Sequence, residues 1–111
     1  MNDMKISIVS PVYGAANLLV EFVDRTIAVV EKITPDFEII LVEDHSPDHS
    51  WQLIEDIAAK NSHVIGVSLS RNFGQQNAIN AGLDLAGGDY IITMDCDLQD
   101  EPENIPAMLE K

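Results

Sequence analysis

"FEIILVED", Phe37–Asp44, is a nearly continuous apolar run that closes on two acids. A half-buried strand alternates apolar and polar residues. A run without alternation is expected of a strand covered on both faces, as in a parallel sheet between helices. Before this run, Leu18, Leu19, Phe22, Val23, Ile27, Val30 and Ile33 recur at helical spacing, from a start near Asn17 through to Thr34-Pro35. Before that helix, "KISIVSPVY" (Lys5–Tyr13) alternates and is rich in Ile and Val, which predicts a first strand ending near Pro11.

The same alternation continues downstream. "HSPDHS" (His45–Ser50) reads as a turn, with Asp48 or Ser50 able to cap the helix "WQLIEDIAAKN". "VIGVSLS" (Val64–Ser70) predicts a third strand. "NFGQQNAINAGLDLAGG" predicts a third helix with a glycine at its entry and a Gly-Gly exit. "DYIITMD" predicts a fourth strand. "EPENIPAMLEK" predicts a fourth helix, with Pro102 suited to its first turn. Repeated strand–helix–strand units predict an α/β fold, a parallel sheet of about four strands with helices on both faces. Crossovers should be right-handed, and ligands bind at the carboxyl ends of such strands, where the strand order reverses.

The totals bound the function. A chain of 111 residues favours one domain, and 46% hydrophobic residues with a mean hydropathy near zero fit a globular composition. No apolar run approaches the ~20 residues of a membrane span. The start "MNDMKISIVSPVY" lacks the charged head and long apolar middle of a secretory signal. The single cysteine, Cys96, excludes an internal disulfide framework and fits a reducing, cytoplasmic compartment. A net charge of −13 with six Lys plus Arg argues against nucleic acid and against docking this segment on an anionic membrane. Most of the acids, such as Glu31, Glu55 and Asp56, read as a solvated surface. An anionic ligand would then need a metal, a helix N-terminus or a local basic residue.

Each predicted strand ends in unusual polar residues: Pro11-Val12-Tyr13, Glu43-Asp44-His45, Ser70-Arg71-Asn72 and Asp95-Cys96-Asp97. In a parallel sheet all four clusters fall on one rim. Asp95 and Asp97 are two apart at a strand end and face the same side while the chain is extended. Two carboxylates held so form a site for Mg²⁺ or Mn²⁺, with Gln99 as a further oxygen ligand. The opposing reading is a solvated loop whose acids (Asp100, Glu101 and Glu103 among them) favour the next helix N-terminus. Asp44 either accepts hydrogen bonds from a base or ribose, or makes an Asx turn. Arg71 either pairs with a phosphate or with nearby acids. His45 and His49 lie across a proline-bearing turn and read as loop residues rather than a zinc pair. Cys96 and Trp51 read as packing residues.

The blocks "SIVSPVYGAANLL", "EIILVEDHSPDHS" and "LSRNFGQQNAINAGLDLAGGDYIITMDCDLQDEPE" resemble the nucleotide-sugar-binding half of family 2 glycosyltransferases. Within that family the branch resembled is that of dolichol-phosphate mannose synthases and bactoprenol-phosphate glucosyltransferases. The resemblance runs over essentially the whole chain, residues 1–111. It implies a Rossmann-like GT-A fold and metal-dependent transfer of a hexose from a UDP- or GDP-sugar, with a polyprenyl phosphate as acceptor. It assigns Pro11, Tyr13, Asp44, Arg71 and Asp95 to the nucleotide, and Asp97, with Asp95 and Gln99, to the metal. Two departures from the family pattern stand out: Asn17 comes late after Pro11-Val12-Tyr13, and positions 75 and 76 are both glutamine where the branch often carries a basic residue or histidine.

The chain stops one helix after the Asp-x-Asp, and the family continues with an acceptor-binding half. The expectation is therefore an N-terminal part of a longer enzyme, with its base or acceptor site outside these residues and the whole protein at the cytoplasmic face of a membrane. The alternative is a nucleotide-binding part without turnover, and an exposed sheet edge would let it pair with a second copy. A receiver-type signalling domain shares the length and acidity, but would need an acidic pair after the first strand, where this chain has Ser10-Pro11.

Overall fold

The computed structural model describes residues 4–14, 16–45, 50–71, 74–95 and 102–109. The elements run β1 (Ile6–Val12), α1 (Ala16–Val30), β2 (Phe37–Glu43), α2 (Ser50–Lys60), β3 (Val64–Ser68), α3 (Gln75–Leu85) and β4 (Tyr90–Thr93). A 3₁₀ turn (Pro102–Asn104) then leads into α4 (Ile105–Leu109). The four strands form one parallel sheet in the order β3-β2-β1-β4. The alternation read from the sequence is thus the architecture found.

Register explains the burial. β1 and β2 are the inner strands, and every residue of β2 is buried, as its unbroken apolar run requires. Ile6, Ile8 and Val12 of β1, with Phe37, Ile39 and Leu41 of β2, pack against Leu19, Phe22, Val23 and Val30 of α1 and Ile54 of α2. Val9, Ile40 and Val42 point to the other face and meet Ala78 of α3. Helices α1 and α2 therefore cover one face and α3 the other. Right-handed crossovers demand this arrangement, because the chain steps outward through β2 and β3 and then returns past β1 to β4. Gly82 lets α3 lie close: a Cβ there would come within 2.4 Å of a Val9 methyl.

Several boundaries differ from the sequence expectation. α1 stops at Val30, and the chain continues to Thr34 as a hydrogen-bonded turn, with Thr34 N–H on the Val30 carbonyl at 3.0 Å. There the Thr34 hydroxyl donates to the Met4 carbonyl at 2.9 Å and accepts from Asp36 N–H, so the helix ends where a side chain offers the backbone another partner. β3 stops at Ser68 and β4 at Thr93, although Leu69 and Met94 each donate one more rung to the neighbouring strand. α3 begins only at Gln75, after Gly74 with φ +94°.

Candidate nucleotide-binding rim

Because all strands run the same way, their carboxyl ends share one rim. The order reverses between β1 and β4, and a recess of about 190 Å³ opens there. It is lined by Pro11 from β1, by Thr93, Met94 and Asp95 from the end of β4, and by Gln75 and Ile79 from the first turns of α3. This is where an open parallel sheet leaves a crevice, because adjacent crossovers leave in opposite directions.

Two expected site residues, Pro11 and Asp95, line the recess. The others stand around it on the same rim. Tyr13 follows β1 and is 54% exposed. Asp44 follows β2 and is buried, at 3% exposure, with its N–H on the Val12 carbonyl at 2.9 Å. Its Oδ2 accepts Gly74 N–H at 3.1 Å. The chain turns at the next residue, His45, which takes φ +55° and donates its N–H to Glu43 Oε1 at 3.0 Å. Arg71 follows β3 and is exposed. Asp97 and Gln99, the expected metal ligands beside Asp95, lie outside the described residues, as do Cys96, His49 and Asp48.

Asp95 accepts the Gln75 side-chain amide, Nε2 to Oδ1 at 3.1 Å. Sequence reading did not name Ile79, Thr93 and Met94 as site residues, and it marked Gln75 only as a departure from the family pattern at the helix entry. The available signal was topological: the helix that returns the chain to the far side of β1 must start over the reversal point. The chemistry of the donor set fits a hard divalent cation, since Asp95 presents carboxylate oxygen at the recess and Asp97 and Gln99 follow in the sequence. Among the described residues no group of three or more His, Cys, Asp and Glu gathers into a metal cluster.

The far end of the acidic stretch is anchored differently from expectation. Glu103 does more than favour a helix start: Arg25 of α1 donates to it through Nε (3.0 Å to Oε2) and through a second guanidinium nitrogen, and also reaches Glu21 at 3.2 Å. The hydrogen bond from Arg25 holds the Glu103 carboxyl below its ordinary value, and the same bond raises the guanidinium. Pro102 and Ile105 are buried beside it, so the segment after the acids is docked against α1.

Comparison with known proteins agrees with this fold. A family model described as glycosyl transferase family 2 matches residues 7–111. Undecaprenyl-phosphate 4-deoxy-4-formamido-L-arabinose transferases from Enterobacter sp. (strain 638) and Pseudomonas fluorescens (strain SBW25) are 45% and 48% identical over 108 and 107 residues. These alignments cover 96% of this chain but only 33% and 31% of those proteins, so the chain spans about a third of the length of these curated relatives. Among solved structures, a mannosyltransferase from Pyrobaculum calidifontis in complex with GDP-Man and Mn²⁺ superposes with a TM-score of 0.72 at 22% identity, over 83% of this chain and 27% of that one. S. aureus TarS in complex with UDP-GlcNAc superposes at 0.69 and 26% identity, over 85% and 27%. The fold is that of GT-A glycosyltransferases.

Proposed function

Because the chain belongs to glycosyl transferase family 2, we propose that it is the nucleotide-sugar-binding part of a glycosyltransferase whose donor is a UDP- or GDP-sugar and whose acceptor is a polyprenyl phosphate. The observation that carries this reading is the recess at the strand-order reversal, with Asp95 in its lining and buried Asp44 on the same rim. Asp44 offers carboxylate oxygen to a base N–H. Pro11 and Tyr13 supply apolar surface for the nucleoside, Asp95 faces the ribose and sugar side, and Arg71 supplies positive charge for the diphosphate. Asp97, with Asp95 and Gln99, would hold Mg²⁺ or Mn²⁺. Such an ion, when bound, neutralises the diphosphate and stabilises charge on the departing nucleoside diphosphate.

The acid cluster thereby has a role: carboxylates at the rim would repel a pyrophosphate unless a cation joined them. A phosphate acceptor is already ionised near neutral pH, so it asks for no general base from these residues. No described helix is long and apolar enough to cross a membrane. Contact with a lipid-linked acceptor is therefore assigned to parts of the relatives' length that this chain does not span. β4 is an edge strand with Tyr90 and Ile91 exposed, a surface on which such parts, or a second copy, would pack. Coverage of 31–33% of the relatives favours, for this chain by itself, binding without turnover.

Thermal-shift titration with UDP and with GDP, each with and without Mn²⁺, tests the reading. Stabilisation by one nucleotide that disappears with chelator or with Asp97→Asn supports it. Indifference to all four conditions contradicts it.

A further inference from the structure

Asp44 and Asp95 stand at the ends of β2 and β4, strands that do not touch because β1 lies between them. Two consecutive residues bridge that gap. Gly74 donates its N–H to Asp44 Oδ2 and Gln75 donates its side-chain amide to Asp95 Oδ1, each at 3.1 Å. Gly74 takes φ +94°, a conformation that side chains other than glycine rarely adopt, and this brings its N–H to Asp44 while Gln75 opens α3. The next glutamine behaves differently: Gln76 reaches along its own helix to Asn80 Oδ1 at 3.2 Å. An amide suits the contact to Asp95, since it donates directionally and adds no charge of its own to a carboxylate that must meet a ligand. A carboxylate fixed before binding loses less rotamer freedom when the ligand arrives.

We propose that Gln75 is a positioning residue that holds Asp95 in its nucleotide-receiving orientation and, with Gly74, sets the spacing between Asp95 and Asp44. This inference rests on the nucleotide-binding reading and adds to it a residue on which that reading does not depend.

The test is isothermal titration of the 111-residue chain with UDP and GDP in the presence of Mn²⁺. It compares wild type, Gln75→Ala, Asp95→Ala, their double variant and Gln76→Ala. Gln75→Ala should weaken binding about tenfold, the scale of one hydrogen bond to a charged group. In the Asp95→Ala background, which leaves no side-chain oxygen to accept the Gln75 amide, the same change should alter affinity by less than about twofold. Gln76→Ala should bind as wild type, and denaturation midpoints should match throughout.

A second variant, Gln75→Glu, sets a like charge against Asp95 and should weaken binding more than Gln75→Ala does. If Asp95→Ala binds too weakly to titrate, that ordering decides. An equal loss in both backgrounds, wild-type affinity in Gln75→Ala, or Gln75→Glu binding at least as well as Gln75→Ala overturns the inference and leaves nucleotide binding standing. Absence of nucleotide binding by wild type overturns both.

Discussion

Buried Glu38 near the start of β2 and buried Asp44 just after its end are held in different surroundings. At the amino end Glu38 accepts the Ser7 hydroxyl at 2.6 Å and Gly87 N–H at 2.8 Å, with the Lys5 ammonium 3.8 Å away. Ser7 in turn accepts Gly88 N–H at 2.9 Å. At the carboxyl end Asp44 accepts Gly74 N–H. Gly74 and Gly87 flank α3, so one strand grips both ends of one helix through its acids. Glu38 sits in a closed set of partners and serves the fold. Asp44 sits on a rim beside a recess, where the proposed nucleotide would meet it. Burial and charge alone do not separate the two; the topology around each does.

Breaking the Glu38 end should have the largest effect on stability. Glu38→Ala strands the Gly87 N–H and the Ser7 hydroxyl, and should cost about 3 kcal/mol in urea unfolding. Nucleotide affinity of the folded protein should hold within about twofold. The same group predicts an acid limb. Burial raises the Glu38 carboxyl, but the bonds from Ser7 and Gly87 and the charge of Lys5 outweigh it and leave the carboxyl below its ordinary value of 4.5. Its contribution is therefore complete above pH 4.5 and is lost as pH falls through the depressed value. Stability of Glu38→Gln, followed by urea unfolding across acid pH, should fall less steeply than that of wild type.

Disturbing the helix between the two grips should blur the comparison. Gly82→Ala drives a methyl into Val9 and should destabilise by about 2 kcal/mol, while also weakening nucleotide binding because α3 carries Gln75. Asp44→Asn sharpens the contrast in the other direction. It keeps an oxygen for Gly74 N–H, so unfolding should change by less than about 1 kcal/mol, while nucleotide affinity falls about tenfold by titration.

The smallest expected effect is a gain. The Ser10 hydroxyl is fully buried with no hydrogen-bond partner among the described residues, on the face of β1 opposite α3. Ser10→Ala should stabilise by up to about 1 kcal/mol, since the substitution removes a desolvated polar group.

The fold was legible because its signals are local and mutually consistent: an unbroken apolar run at β2, helical spacing through α1, and a glycine at the entry to α3. The rim was legible because parallel strands carry their terminal residues to one side. What escaped were pairings set by distant segments. Glu38 looks like a lone acid interrupting an apolar strand until Ser7 and Gly87 are brought to it. Glu103 looks like a helix-start acid until α1 presents Arg25. Gln75 looks like a surface amide until β4 returns beside β1 and places Asp95 in reach. Such contacts depend on strand order, which local periodicity does not encode.

The contrast between the two ends of β2 is most directly tested by amide chemical-shift mapping in ¹⁵N-labelled protein titrated with UDP or GDP and Mg²⁺. Saturable shifts at Tyr13, Asp44, Gly74, Gln75 and Asp95, with Lys5, Glu38, Gly87 and Gly88 unmoved, are the predicted result. Shifts centred on the amino-end residues, or no shifts at saturating nucleotide, would contradict the account.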